Sequence, residues 1–344
     1  MDRISVGIIG ATGYTGSELV RILMGHPLVE IKAITTTSHK GRKLSDIHPH
    51  LFELYDQVLV GEDEISGSDL DLVFLALPHG VSQKFVRDHI DDGFKIIDLS
   101  GDFRIKDVNV YEKWYEIEHV CPELIKKAVY GLPELFRDRI RESDLIANPG
   151  CYPTSVLLGL VPLIKNDLVD TDMCLVDSKS GMSGAGVKAK PVTHFPQAND
   201  NMFAYSIGSH RHTPEIEEWL TPFTSEDIRV QFTPHLLPVT RGILSTIYMK
   251  GMNIDQKVVD DAYDDMYADE PFVRMRKESP SLGGVRGSNF CDIHTHVDQR
   301  TGNVVVVTAI DNLVKGAAGQ AVQNMNICLG LEEGTGLRAA PLSP

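Results

Sequence analysis

The sequence predicts an α/β chain in two domains, a doubly wound parallel sheet followed by an α+β domain. Three observations carry this. The first third alternates short β-branched runs with helical patterns, the order that right-handed crossovers between parallel strands produce. A glycine-rich turn at 10–16 sits at the first strand-to-helix junction. Beyond Asn148-Pro149-Gly150, strand-like runs follow one another without a helix of crossover length, which implies a mixed or antiparallel sheet. A chain of 344 residues has room for two domains at roughly 150 residues each.

The elements follow in order. Residues 4–9 read as a strand, and 16–24 as a helix with Leu19, Val20 and Leu23 on one face. Strands are expected at 31–36, 70–77 and 95–99, with a helix at 82–90 between the last two. After the boundary come a helix at 154–164, a strand at 173–178, a helix at 214–220, and strands at 228–232, 242–249 and 303–310. A final helix from Ala317 to about Leu329 carries Ala318, Ala321, Val322, Met325 and Leu329 at helical spacing, and Gly330 is its stop.

Composition excludes several classes. Lys plus Arg number 33 against 48 Asp plus Glu, a net charge of −15, which argues against broad contact with nucleic acid or an anionic membrane. An anionic small substrate then needs a local cluster of cations. The N-terminus lacks the pattern of a signal peptide, and no apolar run approaches the ~20 residues of a membrane span. Five scattered cysteines without a C-x-x-C pair speak against a disulfide scaffold or zinc ribbon and for a reducing cytoplasm.

Gly10-Ala11-Thr12-Gly13-Tyr14-Thr15-Gly16 follows a strand and opens a helix. Glycines there allow a tight turn and close approach of a pyrophosphate to the unpaired N–H groups of the helix start. The alternative is a structural turn with no ligand. Coenzyme choice is read from the end of the second strand, where an acid would bind the ribose 2′-hydroxyl of NAD. Here 35–43 holds hydroxyls and cations and no carboxylate, so Ser38 and Lys40 suit the 2′-phosphate of NADP(H). A solvated basic loop is the competing reading.

Cys151 stands in Asn-Pro-Gly-Cys-Tyr-Pro-Thr directly before an apolar helix. A thiol there faces the positive end of the helix dipole, which favours the nucleophilic thiolate, whereas most lone cysteines are buried small hydrophobes. A thiolate beside a nicotinamide attacks an activated acyl group or an aldehyde, and hydride moves to or from the adduct. The acid–base partner is sought in His210-Arg211-His212, on a loop entering a helix with Thr213 as N-cap and Pro214 as first helical residue. Solvated surface histidines are the alternative. Arg211 offers a cation for a phosphate or carboxylate, as do Lys179, Lys188 and Lys190 around the Gly-rich 180–186 loop.

These residues carry a resemblance. GIIGATGYTGSELVRIL at 7–23, DLSGDFR at 98–104, YGLPEL at 130–135, ANPGCYPTS at 147–155, DSKSGMSGAG at 177–186, HRHTPEI at 210–216 and DNLVKGAAGQAVQNMN at 311–326 are similar to the N-acetyl-γ-glutamyl-phosphate reductase family. This is the arginine-biosynthesis branch of the semialdehyde dehydrogenase superfamily, and the match runs nearly end to end. The resemblance implies an NADP-dependent homo-oligomer, dimer or tetramer, that reduces an acyl phosphate to its semialdehyde. It places the nucleophile on Cys151 and the acid–base histidine on His212, with His210 close by. Cofactor contacts fall on the glycine turn, Ser183, Gly184 and Asn312; from the residues themselves, His210, Arg211 and Lys179 are the candidate substrate contacts. It implies a Rossmann-type domain at 1–148, onto which 312–344 returns, and a second domain at 149–311 resembling that of glyceraldehyde-phosphate dehydrogenase.

A sister branch reduces carrier-bound α-aminoadipyl phosphate in lysine biosynthesis; Tyr152-Pro153 here resembles the arginine branch. A non-catalytic NADP-binding redox sensor is the reading from another class, and such a sensor needs no acyl-accepting thiol. In Cys291-Asp292-Ile293-His294-Thr295-His296, strand alternation puts Asp292, His294 and His296 on one face. A solvent-facing or subunit-facing surface is preferred there to a metal site, and no metal is expected.

Overall fold

The β-branched runs of the first third become parallel strands because helices cover both faces of the sheet they form. The computed structural model describes residues 3–65 and 69–343. In chain order, β1 (Ile4–Ile9), α1 (Tyr14–Leu23), β2 (Val29–Thr35), β3 (Leu72–Leu75), α2 (Ser82–His89) and β4 (Lys95–Asp98) follow the expected alternation with ends shifted by a residue or two. Then come α3 (Val108–Tyr115), α4 (Pro122–Ile125), β5 (Val129–Tyr130), α5 (Pro133–Arg141) and β6 (Leu145–Ala147), none of which the sequence pattern announces. The strands lie in the order β2-β1-β3-β4-β6-β5, and every pair is parallel. From β1 the chain runs outward to β2 and then returns to β3 on the other side. The crevice at the C-terminal ends of β1 and β3 is therefore a topological switch point.

The next elements form a second unit: α6 (Cys151–Lys165), β7 (Val169–Gly181), α7 (Phe195–Ala198), β8 (Phe203–Ala204), α8 (His212–Leu220), β9 (Val230–Leu237), β10 (Ile243–Gly251), α9 (Gln256–Tyr267), β11 (Val273–Met275), β12 (Cys291–Asp298) and β13 (Asn303–Ile310). Its sheet, β11-β12-β13-β10-β7-β9-β8, is mixed, as the missing crossover helices imply. Along β7 and β10 the side chains alternate between two faces. Ser178 and Ser245 point to one of them, where Ser155 of α6 joins them in a buried hydroxyl chain with O···O separations of 2.7 and 2.8 Å. The other face is partly open to solvent along these strands. It displays the cross-strand row Leu175, Tyr248, Val305 and His296, of which Leu175 is 37% and Tyr248 41% exposed. His294 belongs to this face, as does Asp292, which is buried and held by Arg274 at 2.5 Å. Among the described residues no group of His, Cys, Asp or Glu is arranged to hold a metal.

The last helix, α10 (Gly319–Cys328), follows a π-turn at Val314–Ala318 and returns to the first unit, with Gly330 at φ +70° as its stop. It is buried on every side, and several of its polar side chains find partners within the first unit. Gln320 and Asn324 both donate to the Gly131 carbonyl, at 2.7 and 2.8 Å, and Asn326 lies 3.1 Å from His26. The units divide at Pro149/Gly150 and at Gly316/Ala317. The returning segment is thus 317–338 and not all of 312–344. Residues 339–343 stay with the second unit because Leu342 donates its N–H to Arg286 at 2.7 Å and lies against Gly287. No helix among the described residues is long and apolar enough to cross a membrane.

Candidate active site

In the first unit the glycine turn lies at the switch point. Gly10 has φ +88°, and a Cβ there would stand 2.5 Å from the Ala76 carbonyl oxygen at the end of β3. A Cβ on Gly16 would strike the Gly10 oxygen at 2.5 Å, so only glycine lets α1 sit on the turn. Gly13 is different: a Cβ there meets nothing closer than 3.9 Å, and the space lies open at the start of α1. This shape, closed at Gly10 and Gly16 and open at Gly13, fits a dinucleotide pyrophosphate over the N–H groups of Tyr14, Thr15 and Gly16. Ala11 donates to the Thr35 carbonyl at 3.1 Å, tying the turn to β2. On the far side His48 Nε2 lies 3.1 Å from the Thr12 carbonyl, and burial lowers the pKa of that imidazole.

The next turn of the switch point, after β3, is fastened from β4. Asp102 is fully buried, and its carboxylate accepts the Gly80 N–H at 2.8 Å, the Gln83 N–H at 3.1 Å and the Tyr111 hydroxyl at 2.8 Å. This brace was invisible in the sequence, where DLSGDFR reads only as a motif. At the end of β2, Ser38 is exposed and its N–H rests on Thr36 Oγ1 at 3.2 Å. Lys40 is engaged: Glu64 holds its ammonium at 2.6 Å, with Asp63 at 4.0 Å. Any anion taking Lys40 must open that exposed pair, which costs little.

In the second unit Cys151 is the first residue of α6 and is partly exposed. Its helix has no side-chain cap of its own, because the N-cap is Gly150 and the third position is Pro153. The Gly150 N–H is instead taken by Glu215 Oε1 of α8 at 2.8 Å, and that carboxylate is fully buried. Gly316 packs against Cys151: a Cβ there would approach Cys151 Cβ to 2.8 Å and Cα to 3.2 Å. We expect Gly316→Ala to lower kcat by about tenfold or more by displacing the thiol, since small misplacements of a reacting group are costly. Unchanged kcat in the folded variant would show that the thiol has slack.

The histidine pair is divided by its hydrogen bonds. His210 Nδ1 accepts the backbone N–H of His212 at 3.1 Å, so this nitrogen carries no proton. Its Nε2 lies 3.4 Å from the Tyr205 hydroxyl, which donates to Tyr152 at 3.2 Å; Tyr152 donates in turn to the His235 carbonyl at 3.3 Å. Assigned from this network, His210 is the neutral Nε2–H tautomer at the head of a one-way chain. Burial, and secondarily the Arg211 charge, lowers its pKa to about 4. His212 lies with its ring centroid 4.9 Å from that of His210 and 5.9 Å from that of Tyr152. Burial also raises the Tyr152 hydroxyl, and it lifts Tyr205 to about 12, so both stay protonated.

Two expectations need correction here. Thr213 is not an N-cap: α8 begins at His212, after an Arg211 already in helical conformation, and the Thr213 N–H closes a turn on His210 O at 2.9 Å. Nor does Lys179 face the thiol's helix. It lies inside β7 with its side chain on the sheet face opposite α6, paired with Asp177 at 2.7 Å, since strand alternation gives Ser178 and Ser180 the helix side. Ser183 and Asn312 do meet: Asn312 Nδ2 donates to Ser183 Oγ at 2.9 Å, while its Oδ1 accepts the Gly242 N–H at 2.7 Å. Gly184 is exposed beside them and Arg211 is exposed at the start of α8, whereas Lys188 and Lys190 lie on the outer surface of the loop.

A dinucleotide turn on a parallel sheet, with a helix-start cysteine and a histidine on a mixed sheet, defines an aldehyde-forming or aldehyde-oxidising dehydrogenase. The family model for the semialdehyde dehydrogenase NAD binding domain matches residues 5–143, and that for the semialdehyde dehydrogenase dimerisation domain matches 151–312. Solved structures share the fold at low identity. Aspartate semialdehyde dehydrogenase II from Vibrio cholerae gives a TM-score of 0.74 at 18% identity, covering 96% of this chain and 99% of that one. The Candida albicans aspartate semialdehyde dehydrogenase with NADP gives 0.68 at 16%, covering 95% and 98%. Curated relatives are much nearer. N-acetyl-gamma-glutamyl-phosphate reductase from Pelotomaculum thermopropionicum is 53% identical with 99% of both chains covered, and that from Methanococcus maripaludis strain C5 is 50% identical, also with 99% of each. The chain belongs to the semialdehyde dehydrogenase family, in its N-acetyl-γ-glutamyl-phosphate reductase branch.

Proposed function

We propose that the chain catalyses the NADPH-dependent reduction of N-acetyl-γ-glutamyl phosphate to N-acetyl-glutamate 5-semialdehyde and phosphate, a step of arginine biosynthesis. The observation that carries the chemistry is Cys151 at the start of α6, packed against Gly316 and tied through Gly150 to the helix bearing His212. The thiolate Sγ attacks the acyl carbon; the C–O bond to phosphate breaks, leaving a thioester on Cys151. The Gly10–Gly16 turn would hold NADPH, whose chemistry would be to supply hydride to the thioester carbon. His212 protonates the resulting oxyanion and takes the same proton back as the C–S bond breaks, so the aldehyde leaves and the thiolate is restored. The proton consumed overall ends on the departing phosphate. His210, neutral and held at both nitrogens, fixes the backbone of His212. Ser183, Gly184 and Asn312 form the cofactor-side loop of the second unit, and Arg211 supplies a cation for the substrate. Lys179, on the other face, is left out.

The reverse reaction tests this directly: N-acetyl-glutamate semialdehyde should reduce NADP only when phosphate is added. Phosphate-independent turnover, or activity restricted to a carrier-bound substrate, would overturn the assignment. The same assay reads coenzyme choice. Residues 35–43 offer a 2′-phosphate hydroxyls and cations, each charge-assisted bond worth about 1.5–3 kcal/mol. We expect kcat/KM for NADP to exceed that for NAD, and equal values would show that this segment does not read the phosphate.

The partly exposed sheet face bearing Leu175, Tyr248 and Val305 supports a homo-oligomer, dimer or tetramer, joined through this surface, with the His294 and His296 row as part of it. Five free cysteines, four of them buried, suit the cytoplasm.

A further inference from the structure

We infer that Glu215 is a positioning residue of the reaction, a helix cap supplied from a neighbouring helix that sets Cys151 against His212; this rests on the roles just given to those two residues. A helix leaves its first N–H groups without intrahelical partners, and a Glu at the third helical position commonly reaches back to the N-cap N–H. Helix α6 cannot do this. Its third position is Pro153, and its N-cap, Gly150, has no side chain. Glu215 takes over the task from α8, accepting the Gly150 N–H at 2.8 Å with a carboxylate that is fully buried. The geometry of the link is specific. Gly150 directly precedes the nucleophile, and His212 precedes Glu215 by three residues on α8, so the two side chains are neighbours one turn apart. One hydrogen bond therefore joins the segment carrying the thiol to the segment carrying the proton donor.

Gly316 also lies against Cys151, where a Cβ would approach the cysteine Cβ to 2.8 Å. What the link requires is reach and an acceptor oxygen at the Gly150 N–H. Charge alone does not supply it.

Two variants separate these requirements. Glu215→Gln keeps the length and an acceptor oxygen but loses the charge; Glu215→Asp keeps the charge but is one methylene short. We expect Gln to retain kcat within about threefold and Asp to lose at least about tenfold. Both should show KM for NADP and semialdehyde within about twofold of wild type, because the Glu215 carboxylate is fully buried behind the Gly150 N–H. Thermal unfolding of both variants checks that they are folded. The reverse ordering would assign the effect to charge. Equal activity of both, or equal loss in both, would likewise overturn the inference. A Cys151→Ser enzyme that turns over would remove the underlying reading instead, so the two failures are distinguishable.

Discussion

Cys151→Ser is expected to abolish turnover while leaving NADPH binding nearly intact. At neutral pH a serine hydroxyl stays protonated where a thiol at a helix N-terminus ionises, so the thioester cannot form. The glycine turn proposed for the coenzyme belongs to the other unit of the chain, and serine is close to cysteine in size, so binding and stability should change little. The check pairs steady-state turnover with NADPH titration by fluorescence. Activity within tenfold of wild type would end the thioester mechanism; loss of NADPH binding together with activity would point to a structural role for the thiol.

His212→Asn should lower kcat by about 10²–10⁴-fold, the usual worth of positioned proton transfer. Alkylation of Cys151 by a small electrophile should fall much less, because the start of α6 still favours the thiolate. His210→Asn is the necessary comparison. Burial lowers the His210 pKa to about 4 and both ring nitrogens are engaged, which favours the neutral imidazole at neutral pH. Its loss should act by loosening His212, and the histidine limb of the kcat–pH profile should persist in this variant while vanishing in His212→Asn. Parallel loss of alkylation and turnover in His212→Asn would recast His212 as the activator of the thiol. A limb that vanishes with His210 instead would reverse the assignment. The depressed pKa has a consequence for stability too. An unfolded histidine takes a proton near pH 6.5 that buried His210 refuses. Its contribution is therefore whole above that pH and drains away as the pH falls toward about 4.

The segment 99–147 was the least legible part of the fold. Its strands are two and three residues long, and its Tyr111 and His119 serve a buried polar network around Asp102. Periodicity needs length, and these elements have too little of it. Helix α9 escaped for another reason. Its apolar positions Val259, Ala262, Tyr263 and Tyr267 are helically spaced, but they are diluted by acids on the exposed face.

By itself the sequence determined the two-part α/β organisation, and it pointed to the glycine turn and to Cys151 as the proposed cofactor turn and nucleophile. Each is a local matter: alternation along a strand, three glycines within one turn, a cysteine among turn-formers at a helix start. Tertiary structure alone decided how the two histidines differ, because the tautomer of His210 depends on Tyr205 and on the His212 backbone. It also sent Lys179 to the far side of the sheet, a matter of register within a 13-residue strand that the local glycine pattern had concealed. And it brought Glu215 to Gly150 and Gly316 to Cys151, contacts 65 and 165 residues apart in the chain. Such pairings carry no local sequence pattern, since what enforces them is the packing of α8 against α6 and the close approach that only a glycine permits.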